Sequence, residues 1–254
     1  MKLTLLIIIA FLSTSALAGQ IQSITQHIDL QRQNQTGWQQ DLLGKMTVSR
    51  KWEVGVQGTY LERFGFFENR GGLFGLYHPN ESLTLEAKVL VGGDNQILPR
   101  LQSSLSAYLA LFDGFTPFVT YKDTRYSVTR LHNGVLGAEI EKFTNILIIP
   151  QVMFGKATFN APDDTRDVHS YGLRLAWYRE KHYSLFMFGY KGVEASQGVV
   201  GKSTFLIDTS SGGFGASYHF VPQLKTELII DHTDYKQLKN QFVTTTLNLV
   251  WDFE

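Results

Sequence analysis

An all-β, closed antiparallel transmembrane β-barrel of about 14 strands, with 12 as the main alternative, is the architecture this 254-residue chain encodes. Three observations carry that expectation. The final segment alternates strictly, with Leu247, Leu249, Trp251 and Phe253 on one face and Thr246, Asn248, Val250 and Asp252 on the other. Similar runs of roughly ten residues follow one another, separated by connections that are alternately short and long. No helical period is sustained between them, and after the first residues no apolar stretch is long enough for a helix to cross a bilayer.

The amino-terminal residues read as a signal peptide over 1–18. Lys2 precedes an apolar run from Leu5 to Leu12, and Ala16-Leu17-Ala18 forms a small-x-small cleavage site. The barrel is therefore expected over 19–254 as a single domain. Because Gly19 rather than Cys follows the site, no lipid anchor is implied.

Strand assignments rest on period two. Trp52, Val54, Val56, Gly58 and Tyr60 oppose Glu53, Gly55, Gln57 and Thr59. Leu83, Leu85, Ala87 and Val89 oppose Glu86 and Lys88, and Leu136, Ala138 and Ile140 oppose Glu139 and Glu141. Tyr171, Leu173, Leu175 and Trp177 oppose Gly172 and Arg174. Two segments, Ile146 to Ile149 and Tyr183 to Tyr190, are apolar on both faces and carry no orientation signal.

The connections orient the barrel. Short turns are expected at Ser49-Arg50-Lys51, His78-Pro79-Asn80, Asp113-Gly114, Lys142-Phe143-Thr144, Arg179-Glu180-Lys181 and Val221-Pro222. Longer loops are expected at 32–37, 63–69, 93–98, 123–129, 157–166 and 193–204. Short periplasmic turns and longer outside loops are the usual asymmetry of such barrels, and an even strand count places both termini in the periplasm.

Composition narrows the function. Removing the signal peptide takes away Lys2 alone, leaving 22 basic against 23 acidic side chains, so nothing attracts nucleic acid. The absence of Cys rules out disulfide stapling, and the seven His lack metal-ligand spacing. No cofactor is expected. Mean hydropathy of −0.09, with 18 Phe and 11 Tyr, suits a wall that is greasy on one face only.

Further features run through most of the chain: Asn69-Arg70-Gly71-Gly72 leading to Leu76-Tyr77, Leu98-Pro99-Arg100 within the 94–100 loop, the strand pair from Phe118 to Tyr126, the Gly213 to Phe220 segment, and the closing Leu247 to Phe253 strand. In these patterns the chain resembles the YaiO-type outer-membrane β-barrel proteins. Glu254 departs from the pattern by extending past the closing aromatic. The resemblance implies a barrel in the outer membrane and no particular biochemical activity.

Alternation turns a mixed set of charges inward: Glu53, Glu86, Lys88, Glu139, Glu141, Arg174, Lys225 and Glu227, together with His27, Asp29, Lys45, Lys122 and Asp231. Buried charges require partners or water, so these residues either line a hydrophilic passage or cross-link the interior. The leading reading is a non-enzymatic outer-membrane barrel, a passive pore or envelope-structural component. The alternative is a rim enzyme acting on lipid, lipopolysaccharide or peptide, in which His27, Asp29 and Asp231 meet near the seam of the barrel. Polar rim residues are solvated by default, and no Ser accompanies these three. Tyr60, Tyr77, Tyr121, Tyr171, Trp177 and Trp251 are expected as an interfacial girdle, and the Gly71-Gly72 and Gly212-Gly213 pairs as bends in the wall. Expected partners are outer-membrane lipids, the barrel-assembly machinery through the last strand, and a small hydrophilic solute.

Overall fold

The computed structural model describes residues 18–30, 35–63, 65–93, 97–143, 145–159, 164–179, 182–197, 204–236 and 240–253. Residues 1–17 of the expected signal peptide lie outside these. Fourteen strands follow in chain order: β1 (Gly19–Leu30), β2 (Gln35–Ser49), β3 (Trp52–Arg63), β4 (Phe66–Asn80), β5 (Leu83–Gly92), β6 (Leu101–Leu109), β7 (Phe115–Arg125), β8 (Thr129–Phe143), β9 (Ile146–Phe159), β10 (Thr165–Arg179), β11 (Tyr183–Gln197), β12 (Thr204–Val221), β13 (Leu224–Tyr235) and β14 (Asn240–Phe253). Each pairs antiparallel with the next, and β1 pairs with β14 from Gly19↔Phe253 to Leu30↔Phe242 to close the ring. No helix occurs among the described residues.

Directly opposed residues share a face, so one orientation propagates around the wall. Val119, Leu136, Val152 and Tyr171 are successive register partners across β7–β10, and all four are exposed on the outside. The same outward set includes Leu73, Leu105, Leu185, Phe214, Leu228 and Leu247. The expected girdle residues Tyr60, Tyr77, Tyr121, Tyr171, Trp177 and Trp251 all point outward, and Trp52 stacks on Tyr77 at 4.5 Å between ring centroids. The other face carries the buried polar side chains, among them Thr59, Ser106, Asn133, Ser184, Ser217 and Thr246. Ser184 and Ser217, register partners on β11 and β12, hydrogen-bond at 2.8 Å. The two ambiguous segments resolve by pairing. Ile146 and Ile148 face out while Leu147 and Ile149 face in, and Leu185 and Met187 face out while Phe186 and Phe188 face in.

One end of the barrel carries the start of β1 at Gly19, the end of β14 at Phe253 and the short turns; the other carries the remaining connections. The turn after β4 forms at Glu81-Ser82 rather than at His78-Pro79-Asn80, because β4 continues to Asn80 with a register shift after Tyr77. Asn80 Oδ1 then accepts the N–H groups of Ser82 and Leu83 at 3.0 and 2.9 Å, closing the turn with its own side chain. Gly114 (φ 72°) supplies the left-handed backbone that the turn before β7 requires.

The loop end is tighter than expected at most connections, since β2 starts at Gln35, β7 ends at Arg125, β9 ends at Phe159, β10 starts at Thr165 and β11 runs to Gln197, all inside the expected loops. In the expected 63–69 loop, Phe66 to Asn69 pair with Arg63 to Tyr60 and extend β4 upward. Gly65 (φ 76°) takes the turn, while ladder hydrogen bonds outweigh the local turn preference of Asn69.

Candidate functional site

The lumen is the concave site of this fold, and its two sides differ. Across β2–β4 a polar network crosses the wall: Thr59 Oγ1 donates to Asp41 Oδ1 at 2.5 Å, and Gln39 Nε2 donates to Asp41 Oδ2 at 2.7 Å. Arg70 extends it, donating from Nε to Thr59 Oγ1 at 3.3 Å and from Nη1 to Gln102 Oε1 on β6 at 3.0 Å. Asp41 and Thr59 are buried, so this network gives their polar groups the partners that burial demands.

Above it, the 97–100 segment that leads into β6 is held on the inner side of the wall. Glu68 points inward from β4 opposite Leu61, and its carboxylate accepts the Ile97 N–H at 2.9 and 3.0 Å and the Leu98 N–H at 2.6 Å. Leu61, Leu90 and Leu98 are 1, 2 and 6% exposed. Leu61 and Leu90 are lumen positions near the loop end, so such burial requires a cover, and the pinned 97–100 segment supplies it. Backbone bonds from Gly92 N–H to Arg100 O and from Arg100 N–H to Arg125 O fasten the far side of this segment, both at 2.8 Å.

The opposite side is open. Glu139, Glu141, Gln151 and Arg174 face the lumen from β8, β9 and β10, and all are exposed. Arg174 lies over the inward Phe186 ring, 4.3 Å from its centroid, which holds the guanidinium against the wall.

The remaining expected lumen residues fall on the inner face at varied heights. Near the terminus end, Lys45 Nζ lies 2.6 Å from Glu53 Oε2, His78 Nε2 lies 3.5 Å from Glu53 Oε1, and Lys225 Nζ lies 3.6 Å from Glu227 Oε2. Glu86, Lys88 and Lys122 face inward along β5 and β7, half-buried. The terminus end therefore gathers Glu53, Glu86, Glu139, Glu141 and Glu227 together with Lys45, Lys225 and Arg174, whereas Arg70, Lys88 and Lys122 stand higher on the β4–β7 side.

The rim cluster is corrected by the register. His27 opposes Trp38 and Thr245, and Asp29 opposes Thr36 and Val243, so both point outward; His27 packs edge-on against Trp38 at 4.6 Å. Asp231 opposes Thr244 and Gly213 and points inward. The wall separates the three, and no shared acid–base site forms. Lys45, Lys122 and Asp231 keep the inward orientation expected of them.

Sequence reasoning missed Asp41, Glu68 and the role of Arg70. Arg70 stood inside the Asn69-Arg70-Gly71-Gly72 pattern, but its partners are 11 and 32 residues away in sequence, and only pairing reveals them. Among the described residues, no cluster of three or more His, Cys, Asp or Glu could hold a metal ion.

These features define a class: a closed, single-chain, 14-stranded barrel with a greasy exterior and a partly filled polar lumen. Its fold is that of outer-membrane β-barrel proteins. The chain is similar to the structure of the CymD monoaromatic hydrocarbon channel, with a TM-score of 0.70 at 12% identity over 93% of this chain and 89% of that one. It is also similar to a bacterial polysaccharide outer membrane secretin, with a TM-score of 0.57 at 10% identity over 93% and 98% of the two chains. A third likeness is to OmpT, an outer membrane protein of Vibrio cholerae, with a TM-score of 0.53 at 8% identity over 93% and 96%. No family model and no curated relative matches the chain by sequence.

Proposed function

We propose that this protein resides in the outer membrane and is a passive channel for small hydrophilic solutes, narrowed at its loop end by the inward 97–100 segment. The observation that carries the reading is the asymmetry of the lumen. Exposed Glu139, Glu141, Gln151 and Arg174 line one side, while the opposite side is sealed by the Asp41–Thr59–Arg70–Gln102 network and the Glu68-held loop. Side chains fill eight-stranded barrels and leave a channel in those of 16 to 18 strands, so a half-filled lumen fits an intermediate size. Membrane placement is supported by the outward band, since a water-soluble monomer rarely exposes apolar patches beyond a few hundred Å². The resemblance to YaiO-type barrels agrees with it. On this placement the terminus end is periplasmic and the loop end extracellular.

Reconstitution into planar bilayers tests the channel. Stepwise conductance at either voltage polarity is expected, and liposomes carrying the protein should swell in small polar solutes. Folded protein that neither conducts in high salt nor swells liposomes would leave a braced structural barrel instead.

A further inference from the structure

The outer face of the barrel carries a polar cluster that the lumen does not use. Asp123 on β7 is 7% exposed, yet it opposes His132 and Ser103 on the outward face. The other buried polar side chains among the described residues of the strands face inward. Asp123 is covered by its own partners. Arg130 Nε and Nη2 donate to Asp123 Oδ1 and Oδ2, both at 3.0 Å, and Arg125 Nε donates to Oδ2 at 3.3 Å. His132 Nδ1 lies 3.5 Å from Asp123 Oδ1 and 2.8 Å from Tyr121 Oη. On β9, Lys156 is the register partner of His132, and Asp167 on β10 is the partner of Lys156.

Arg125, Arg130 and Lys156 therefore face Asp123 and Asp167, an excess of one cation before His132 and His169, the outward register partner of Phe154, are counted. Each guanidinium commits one edge to Asp123 and keeps further N–H donors, and the two arginine side chains remain 48 and 46% exposed. A carboxylate that holds two guanidiniums side by side prepares them for a second, larger anion, and planar Arg forks match phosphate oxygens in particular.

Depth identifies that anion. From Ile146 to Lys156 the outward face of β9 climbs about 33 Å along the strand at about 3.3 Å per residue, which a tilt of about 40° reduces to about 25 Å. That is the whole height of an outer-membrane apolar band. Just beneath the cluster lie Tyr121, Phe154 and Tyr171, the upper aromatic edge of the band. The cluster thus stands where lipid acyl chains give way to headgroups.

We infer that Arg125, Arg130 and Lys156, ordered by Asp123, bind the phosphate groups of a phosphorylated glycolipid of the outer leaflet, of the lipopolysaccharide type. The inference rests on the outer-membrane placement proposed above. Tyr121 and Phe154 would pack against the acyl chains while the guanidiniums take the phosphates.

The test uses the full-length folded barrel in zwitterionic detergent, its folding verified by heat-modifiable gel mobility. Binding of phosphorylated lipid A, of enzymatically dephosphorylated lipid A and of inorganic phosphate is measured for the wild type, Arg125→Ala/Arg130→Ala, Asp123→Ala, and Arg50→Ala/Lys51→Ala at the opposite end. The inference expects at least a tenfold loss for the arginine double variant, a smaller loss for Asp123→Ala, none for Arg50→Ala/Lys51→Ala, weak binding of the dephosphorylated lipid, and no competition by millimolar phosphate. If the alanine double variant does not fold, Arg125→Lys/Arg130→Lys keeps the charge, removes the fork, and should bind several-fold more weakly than the wild type. Equal retention of both lipids, or unchanged binding by the folded arginine variants, overturns the inference. Competition by free phosphate overturns it too, in favour of a simple anion site. Membrane fractionation separates the two levels: absence from the outer membrane removes the placement, whereas a barrel found there without phosphate preference removes only this site.

Discussion

Replacing Glu68 with Ala should release the loop that narrows the lumen. The carboxylate receives two backbone N–H groups, from Ile97 and Leu98, the latter at 2.6 Å. Hydrogen bonds to a charged group contribute about 1.5–3 kcal/mol each, so the pair bounds the effect at about 3–6 kcal/mol. Water can reach the freed amides once the loop lifts, which favours the lower figure. About 3 kcal/mol corresponds to a roughly 100-fold rise in the open population, at about 1.4 kcal/mol per factor of ten. Burial of Leu98 opposes full release and keeps the closed form the majority. Hydrogen exchange reads the change directly: the Ile97 and Leu98 amides should exchange roughly 100-fold faster in Glu68→Ala, with β9–β11 amides unaffected. The variant should also show larger or noisier single-channel conductance. Unchanged exchange at both amides would refute the idea that Glu68 holds the loop.

Two further outcomes follow from the lumen. Asp41→Ala removes the acceptor of Thr59 and Gln39 and leaves the Arg70 guanidinium without its nearby carboxylate, so denaturant unfolding in detergent should show a loss of about 3–5 kcal/mol, the range for breaking a buried charged network. Glu139→Gln/Glu141→Gln removes two exposed carboxylates from the open side of the passage; the reversal potential under a salt gradient should move away from cation preference with little change in stability.

The barrel was legible in the sequence because a wall between two different surroundings forces period two on the chain, and segments such as Val119-Thr120-Tyr121-Lys122 obey it. Strand count was legible because short turns punctuate it at Ser49-Arg50-Lys51, Asp113-Gly114 and Val221-Pro222, although β2 and β12 keep Ser49 and Val221 and shift those turns by one residue. Orientation failed where the pattern is mixed. In β1, Ile21 faces out while Ile24 and Ile28 face in, so the strand's own composition cannot say which way His27 and Asp29 point, and pairing with β14 decides. Phe66 to Asn69 read as loop because Gly65 and Asn69 favour turns, and this hid the inward position of Glu68. The Asp123–Arg130 pair spans two strands, and no local spacing announces which residues a register will bring together.

The seam has a consequence for how the molecule comes to exist. Gln20 hydrogen-bonds Asp252 across 232 residues of chain, so the ring cannot be completed by zipping neighbours in order. Every hairpin up to β13 can form locally, yet β1 keeps an open row of peptide groups until β14 arrives to fasten it. The last fourteen-residue strand is therefore the clasp of the whole ring, and in the membrane proposed above a nascent chain released without it would present two bare edges to a solvent that bonds neither.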